Sequence, residues 1–120
     1  MALALRKKRH RSGTTVIAAE GGVSLHTSPQ LRDLIEHVLY ELGEAPHLII
    51  DFTHVDFCDS AGLGVLVTAF KRVTNNNGTF ALVCPSGPVL RLLRISGLDT
   101  VFPVHSRLDE AVDDSFDVGI

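Results

Sequence analysis

The segment His47–Phe70, HLIIDFTHVDFCDSAGLGVLVTAF, changes its hydrophobic pattern halfway along its length. Residues 47–52 carry a continuous apolar centre, which is typical of a central strand buried on both faces of a sheet. Residues 61–74 repeat apolar side chains at helical spacing. The side chains that share this helical face are Leu63, Leu66, Val67 and Phe70. The segment therefore predicts a buried strand and a helix, with Asp59 and Ser60 at the junction between them.

The rest of the chain alternates between strand-like and helix-like patterns in the same way. The other predicted strands are 2–9, 14–20 (ended by Gly21 and Gly22), 80–84 and 101–104. One further helix is predicted from a cap at Thr27 or Ser28, with Pro29 in its first turn, to Gly43. Another starts at Ser86 and Pro88 and ends at Gly97, and the last runs from Ser106 to about Ser115. Such alternation implies right-handed crossovers and a sheet covered by helices.

These patterns predict an α/β fold with a mixed, mostly parallel β-sheet, an N-terminal hairpin and about four helices. A chain of 120 residues has the length of one domain. We therefore predict a single domain over 1–120, with its core at about 14–116 and a frayed end at 117–120.

Composition and charge exclude several classes of protein. Hydrophobic residues make up 45% of the chain and charged residues 21%, which is far from the composition of a disordered protein. The formal net charge is −3, and the one basic run, 6–11, has no interleaved aromatic side chains. We therefore expect no direct nucleic-acid partner and interpret this run as the solvated edge of the hairpin. No apolar run is long enough to span a membrane, and the N-terminus lacks the pattern of a secretory signal. These features predict a cytoplasmic protein.

The cysteines and histidines do not predict a metal or cofactor site. Cys58 and Cys84 are too few for a disulfide framework and lack the paired spacing of a zinc site, so we expect both to be reduced and buried. The histidines are scattered over different elements at His10, His26, His37, His47, His54 and His105. We therefore predict that the protein uses no metal and no cofactor.

Three roles are open for Ser60 on local pattern alone. Ser60 or Asp59 could cap the following helix by accepting hydrogen bonds from its first N–H groups. A nucleophile elbow needs a glycine where Cys58 stands, and His105 is the only histidine that follows Ser60, which disfavours a hydrolase. The third role is part of a phosphate-binding loop, but Gly62 and Gly64 match neither the P-loop nor the dinucleotide-binding pattern, which disfavours nucleotide binding here. No catalytic residue is predicted.

Three stretches together resemble one known family. The sequence IIDFTHVDFCDSAGLGVLVTAFKRV, at 49–73, resembles the signature of anti-sigma factor antagonists, the bacterial members of the STAS domain family. The upstream stretch GGVSLHTSPQLRDLI and the downstream stretch GTFALVCPSGPVLRLLRISGLDTVF resemble the flanking segments of that family. The resemblance covers nearly the whole chain from about Thr14 onward.

The resemblance implies a regulatory protein and not an enzyme. Members of the family bind an anti-sigma factor that is also a serine kinase, which then releases its sigma factor. The kinase phosphorylates the antagonist and so ends the binding, and a serine phosphatase resets the cycle. Carried over to this chain, the resemblance makes Ser60 the phosphorylated residue. The residues that it implies for partner binding are Ser24, Thr27, Asp59, Ser60, Ala61, Gly62, Leu63 and Gly64.

A phosphate on Ser60 has a physical rationale at this position. It adds about −1.5 to −2 charges, and a helix N-terminus tolerates an anion through its free N–H groups. We therefore expect the phosphorylated protein to remain folded.

The chain departs from the family pattern near the predicted switch, where Gly22 and Ser24 replace commonly acidic residues and Ala61 replaces a second serine. The missing acidic residues leave open an adaptor that is never phosphorylated. A second alternative is a module that senses a small ligand at loops 21–27, 53–60 and 84–87.

Overall fold

The computed structural model describes the backbone of residues 2–116 and the side chains of residues 2–112. The strands are β1 (Leu3–Arg9), β2 (Thr15–Val23), β3 (His47–Cys58), β4 (Thr79–Val83) and β5 (Val104–His105). The helices are α1 (Ser28–Leu42), α2 (Ser60–Asn75), α3 (Pro88–Ser96) and α4 (Leu108–Phe116), with one 3₁₀ turn at Leu98–Thr100. The predicted frayed end, 117–120, lies outside the described residues.

The five strands form one sheet in the order β1-β2-β3-β4-β5. The β1–β2 pair is antiparallel and the other three pairs are parallel. The sequence prediction of a mixed, mostly parallel sheet with an N-terminal hairpin and four helices is therefore confirmed.

The sheet separates two apolar layers of unequal size. Helices α1, α2 and α3 pack on one face, where Leu31, Leu66 and Leu93 are fully buried against strand residues such as Ile50. Helix α4 packs alone on the other face and contributes Ala111 and Val112 to a smaller cluster. Because β2, β3 and β4 all lead into the larger layer, the first turns of three helices lie along one edge of the sheet.

Strands β2 and β3 are longer than the sequence predicted. The predicted strand covers 47–52, but β3 continues to Cys58 and buries Val55 on the way. Likewise, Gly21 and Gly22 do not end β2. They lie in a region where its register against β3 shifts, and the positive φ of 109° at Gly21 suits glycine. Sheet pairing supplies the partners for these residues, which local hydropathy cannot show.

The predicted strand 101–104 is also wrong in its bounds. The 3₁₀ turn precedes it, and only Val104 and His105 pair with β4. Phe102 is instead buried against two other aromatic rings, with centroid distances of 5.8 Å to Phe70 and 5.2 Å to Phe80. Residues 101–103 are therefore held by burial of the Phe102 ring and not by the strand pairing that was expected.

The starts of the last two helices differ from the sequence prediction in detail. Helix α3 begins at Pro88 with Gly87 before it, and no side chain caps it. Ser106 was expected to cap the last helix; its Oγ lies 3.0 Å from Oε1 of Glu110, one turn into α4. Among the described residues, no helix is long and apolar enough to cross a membrane.

The packing of α2 on the sheet gives a direct test of the fold. Leu66 is fully buried, so Leu66→Ala should lower the free energy of unfolding by about 2–5 kcal/mol through lost contacts and a residual cavity. The matched control is Leu25→Ala, because Leu25 is 69% exposed and its change should stay within about 0.5 kcal/mol. Urea unfolding followed by circular dichroism measures both; equal losses would contradict this packing.

Candidate functional site

The candidate site lies where β2 and β3 end side by side. Val23, the last residue of β2, pairs with Cys58, the last residue of β3. The backbone N–H of Asp59 then donates to the carbonyl oxygen of Val23 over 3.2 Å. The extra length of both strands therefore brings the loop before α1 next to the first turn of α2.

Asp59 is the residue that caps α2. Its Oδ1 accepts hydrogen bonds from the backbone N–H groups of Ala61 at 3.0 Å and Gly62 at 3.2 Å. Its Oδ2 accepts a third hydrogen bond from the N–H of Leu25 at 2.9 Å. One carboxylate thus caps a helix and holds the neighbouring loop.

The structure decides between the two capping candidates. Ser60 is the first residue of α2, is exposed, and makes no hydrogen bond through its hydroxyl with any described residue. The cap role therefore belongs to Asp59, and the hydroxyl of Ser60 is left facing solvent.

Asp59 is held in its charged form. Desolvation raises the pKa of its carboxyl group, but the hydrogen bonds from the N–H groups of Gly62, Leu25 and Ala61 together outweigh this effect. The pKa of Asp59 therefore lies below its ordinary value of 3.8. A negative charge stands beside the hydroxyl of Ser60 at neutral pH.

The loop before α1 is fixed by its own side chains. Thr27 was one of the two candidate caps of α1, but its side chain makes no cap hydrogen bond to that helix. Its Oγ1 instead donates to the carbonyl oxygen of Gly22 at 2.6 Å and accepts from the N–H of Ser24 at 2.8 Å. Ser24 and Thr27 are both buried. Their side chains hold the loop in the conformation in which Leu25 is exposed. Direct contact of Ser24 and Thr27 with a partner stays a prediction.

The residues after Ser60 have unequal positions. Gly62 is buried against the sheet, and a Cβ there would lie 2.6 Å from Sγ of Cys58 and 2.8 Å from Cγ1 of Val23. The side chain of Leu63 is also buried and belongs to the core. Gly64, in contrast, is exposed, and a Cβ there would meet no atom within 4 Å. Of the predicted partner-binding residues in α2, Ser60 and Gly64 are therefore the accessible ones, with Ala61 partly so.

A groove between α1 and α2 was missed in the sequence analysis. It has a volume of about 390 Å³ and runs from the predicted switch along both helices. Its lining includes Leu25, Pro29, Ala61, Gly64, Val65 and Thr68. A signal existed in the sequence, because Leu25 is a lone large apolar residue in a polar loop, but only the packing of two helices shows the groove.

The third predicted loop, 84–87, follows the end of β4. Residues 84–87 share a small cavity of about 80 Å³ with the second half of β3, including Val55 and Asp56. Most of the second predicted loop, 53–60, is strand, because β3 continues to Cys58. A small-ligand site at these three segments stays a prediction.

The cysteines near this edge are not poised for chemistry. Both are free and buried, as expected. Burial raises the pKa of Cys58 to about 12, with contributions from Asp59 and Cys84, and burial raises the pKa of Cys84 to about 11. Both thiols are therefore neutral at physiological pH and poor nucleophiles. Among the described residues, no group of three or more His, Cys, Asp or Glu residues is placed to hold a metal ion.

Comparison with known proteins agrees with this geometry. The model of the STAS domain matches residues 6–111. The chain belongs to the STAS domain family. It is 29% identical over 107 residues to an anti-sigma F factor antagonist of Paenibacillus polymyxa, covering 89% of this chain and 90% of that protein. It is 32% identical over 90 residues to an anti-sigma-B factor antagonist of Listeria monocytogenes, covering 75% of this chain and 77% of the relative.

Solved structures show the same similarity. A crystal structure of an anti-sigma factor antagonist from Mycobacterium paratuberculosis superposes with a TM-score of 0.87 at 28% sequence identity. The alignment covers 97% of this STAS chain and 96% of that protein. The resemblance to antagonists of this family in the sequence is therefore confirmed.

The two glycines of α2 provide a matched pair of substitutions. Gly62→Ala should destabilise the STAS fold by about 1–3 kcal/mol, because the added methyl group overlaps Cys58 and Val23. Gly64→Ala should be neutral or stabilising by up to about 1 kcal/mol, because it lowers the entropy cost of the helix without a clash. Urea unfolding distinguishes them, and an equal effect of both changes would contradict the close approach at Gly62.

The charge of Asp59 makes a prediction about pH. Because folding lowers its pKa, the charged form adds stability above the ordinary value of 3.8, and this is lost as pH falls through the folded pKa. Asp59→Asn keeps a capping side chain but cannot titrate. The stability advantage of the wild type over this variant should therefore shrink between neutral and acidic pH. Urea unfolding at several pH values measures it, with Asp33→Asn as the control for loss of an exposed charge; a pH-independent advantage would contradict the assignment.

Proposed function

We propose that this chain is an anti-sigma factor antagonist that binds an anti-sigma factor with serine kinase activity, and that phosphorylation of Ser60 ends this binding. The antagonist names of its relatives support the first part. The observation that carries the second part is the position of Ser60, an exposed hydroxyl at the first residue of α2 beside a charged Asp59.

Access to the hydroxyl suits a phosphoacceptor. A kinase must bring the γ-phosphate of ATP within bonding distance of the serine oxygen. Within the described part of the chain, the Ser60 hydroxyl makes no hydrogen bond that would have to be broken. Its neighbour Ala61 is small, and Gly64 one turn later adds no side chain. The partner can therefore approach the hydroxyl closely.

The geometry changes the earlier expectation about how a phosphate is accommodated. Free N–H groups at the start of α2 were expected to hold it, but Asp59 already accepts from those of Ala61 and Gly62. A phosphate on Ser60 would add about −1.5 to −2 charges next to this carboxylate. Because Asp59 already occupies these two donors, we expect most of this charge to face outward. We expect a partner packed on this surface to be expelled by charge repulsion and by lost contact.

The binding surface extends beyond the motif in this proposal. Leu25 is 69% exposed and lies at one end of the groove between α1 and α2. An exposed leucine next to a partly apolar groove is typical of a contact surface. The bond from the Leu25 N–H to Asp59 places that leucine beside Ser60. Contact and modification therefore share one surface, and a serine phosphatase would restore binding by removing the phosphate.

The proposal predicts which residue is modified. Incubation with an anti-sigma factor kinase of the same organism and ATP should add one phosphate, which peptide mass spectrometry should place on Ser60. Ser60→Ala should bind the kinase, take up no phosphate and resist release, whereas Ser60→Asp should bind at least tenfold more weakly while remaining folded. Ser96→Ala, which removes an exposed hydroxyl at the far end of α3, should behave as the wild type.

Two outcomes would contradict the proposal in different ways. Phosphate on another residue, or none at all, would reject the switch at Ser60. Equal kinase affinity before and after phosphorylation would instead favour the adaptor alternative, which the replacement of acidic residues by Gly22 and Ser24 motivates. Peptide mass spectrometry tests the first outcome, and isothermal titration calorimetry of the two forms tests the second.

A further inference from the structure

A second feature of the fold lies at the β5 side of the sheet, where the connections change face. Strands β2, β3 and β4 lead into α1, α2 and α3 on one face, whereas β5 leads into α4 on the opposite face. The connections that leave the carboxyl ends of the neighbouring strands β4 and β5 therefore run to opposite faces of the sheet. In open α/β sheets, such a point leaves a crevice in which ligands bind.

A cavity is present at this point. Its volume is about 660 Å³, within the range of roughly 300–1,000 Å³ of small-molecule sites. Its base is the end of the β4–β5 pair, where the N–H of Cys84 donates to the carbonyl oxygen of His105 over 2.8 Å. Helix α3 and the 3₁₀ turn supply Leu90, Arg94 and Asp99 to its wall, and the start of α4 supplies Glu110.

The cavity presents charges of both signs. Neither Arg94 nor Asp99 takes part in an ion pair within the part of the chain that the structure describes. Glu110 is held by the hydroxyl of Ser106 at 3.0 Å and lies 4.0 Å from a guanidinium nitrogen of Arg107. Arg94 and Asp99 are therefore a cation and an anion in one cavity that do not neutralise each other directly.

The remaining lining determines what kind of molecule fits between these charges. Leu90 and Val104 are partly buried apolar side chains that pack on the core and also line the cavity. Ser86 adds a hydroxyl at the entrance to α3. A purely anionic ligand would meet Asp99 and Glu110 unfavourably, and a purely cationic ligand would meet Arg94 in the same way. A small zwitterion with an apolar part satisfies both charges.

We propose that this cavity binds a zwitterionic small molecule of the amino-acid type. Its carboxylate pairs with the guanidinium of Arg94, its ammonium group pairs with Asp99, and its apolar side chain contacts Leu90 and Val104. Charged hydrogen bonds in a partly enclosed site carry most of the affinity. The site goes beyond the antagonist function, because its lining contains none of the residues around Ser60.

The experiment is a titration of the full chain, labelled with ¹⁵N, with each of the standard amino acids at millimolar concentration. At least one should shift the amide resonances of Leu90, Arg94, Asp99 and Val104 while those of Leu25 and Ala61 stay in place. Its N-acetylated and its carboxamide derivatives each lack one charge, so each should bind at least tenfold more weakly.

Variants assign the two charges separately. Arg94→Gln and Asp99→Asn should each weaken binding of the zwitterion at least tenfold. With the derivatives, Arg94→Gln should lower the affinity for the N-acetylated form, which keeps the carboxylate, more than for the carboxamide. Arg9→Gln on β1 and Asp33→Asn on α1 are the controls, because both remove exposed charges remote from the cavity. All four positions are exposed, so folding should be retained in each case.

The proposal fails if no amino acid shifts the cavity resonances at millimolar concentration. It also fails if a bound amino acid and its two derivatives bind equally well, since this would show that the charges are not recognised. Both outcomes leave the phosphorylation of Ser60 unaffected, so this test and that of the antagonist function are independent.

Discussion

The carboxylate of Asp59 is the interaction on which the candidate site depends. It accepts three hydrogen bonds from backbone N–H groups, one from Leu25 and two from Ala61 and Gly62. These two segments are more than thirty residues apart in sequence. It thereby caps α2 and fixes the loop that presents Leu25. Because these donors also lower its pKa, the same carboxylate is negatively charged beside Ser60 at neutral pH.

This arrangement separates two roles that local sequence joins. An Asp-Ser pair before a helix offers two capping oxygens, and either could satisfy the free N–H groups of the first turn. Once Asp59 takes the cap, the hydroxyl of Ser60 is not needed for stability. A residue without a structural task can be changed without unfolding the protein, so the proposed phosphorylation of Ser60 is compatible with an intact fold.

The close approach of α2 to the sheet sets the geometry around this carboxylate. Gly62 lies so near Cys58 and Val23 that no side chain fits between them. Moving the helix outward to admit one would shift the N–H groups of Ala61 and Gly62 away from Asp59. The glycine two residues after Ser60 is thus a requirement of packing, whereas Gly64 is exposed and has room for a side chain.

The sequence by itself determined the order of strands and helices along the chain, the mixed character of the sheet and the position of Ser60 between a strand and a helix. These follow from apolar periodicity and from the spacing of capping and turn residues, which are local properties of the chain. It also carried the family resemblance, since the motif is contiguous. Only the tertiary structure decided that β2 and β3 continue to Val23 and Cys58, because the polar residues along these stretches are satisfied by pairing between distant segments. It also decided that Asp59 is the cap, that Thr27 braces its loop, and that cavities lie between α1 and α2 and beside β5. Each of these depends on which backbone donors and side chains are brought together from separate parts of the chain, and a linear pattern does not contain that information.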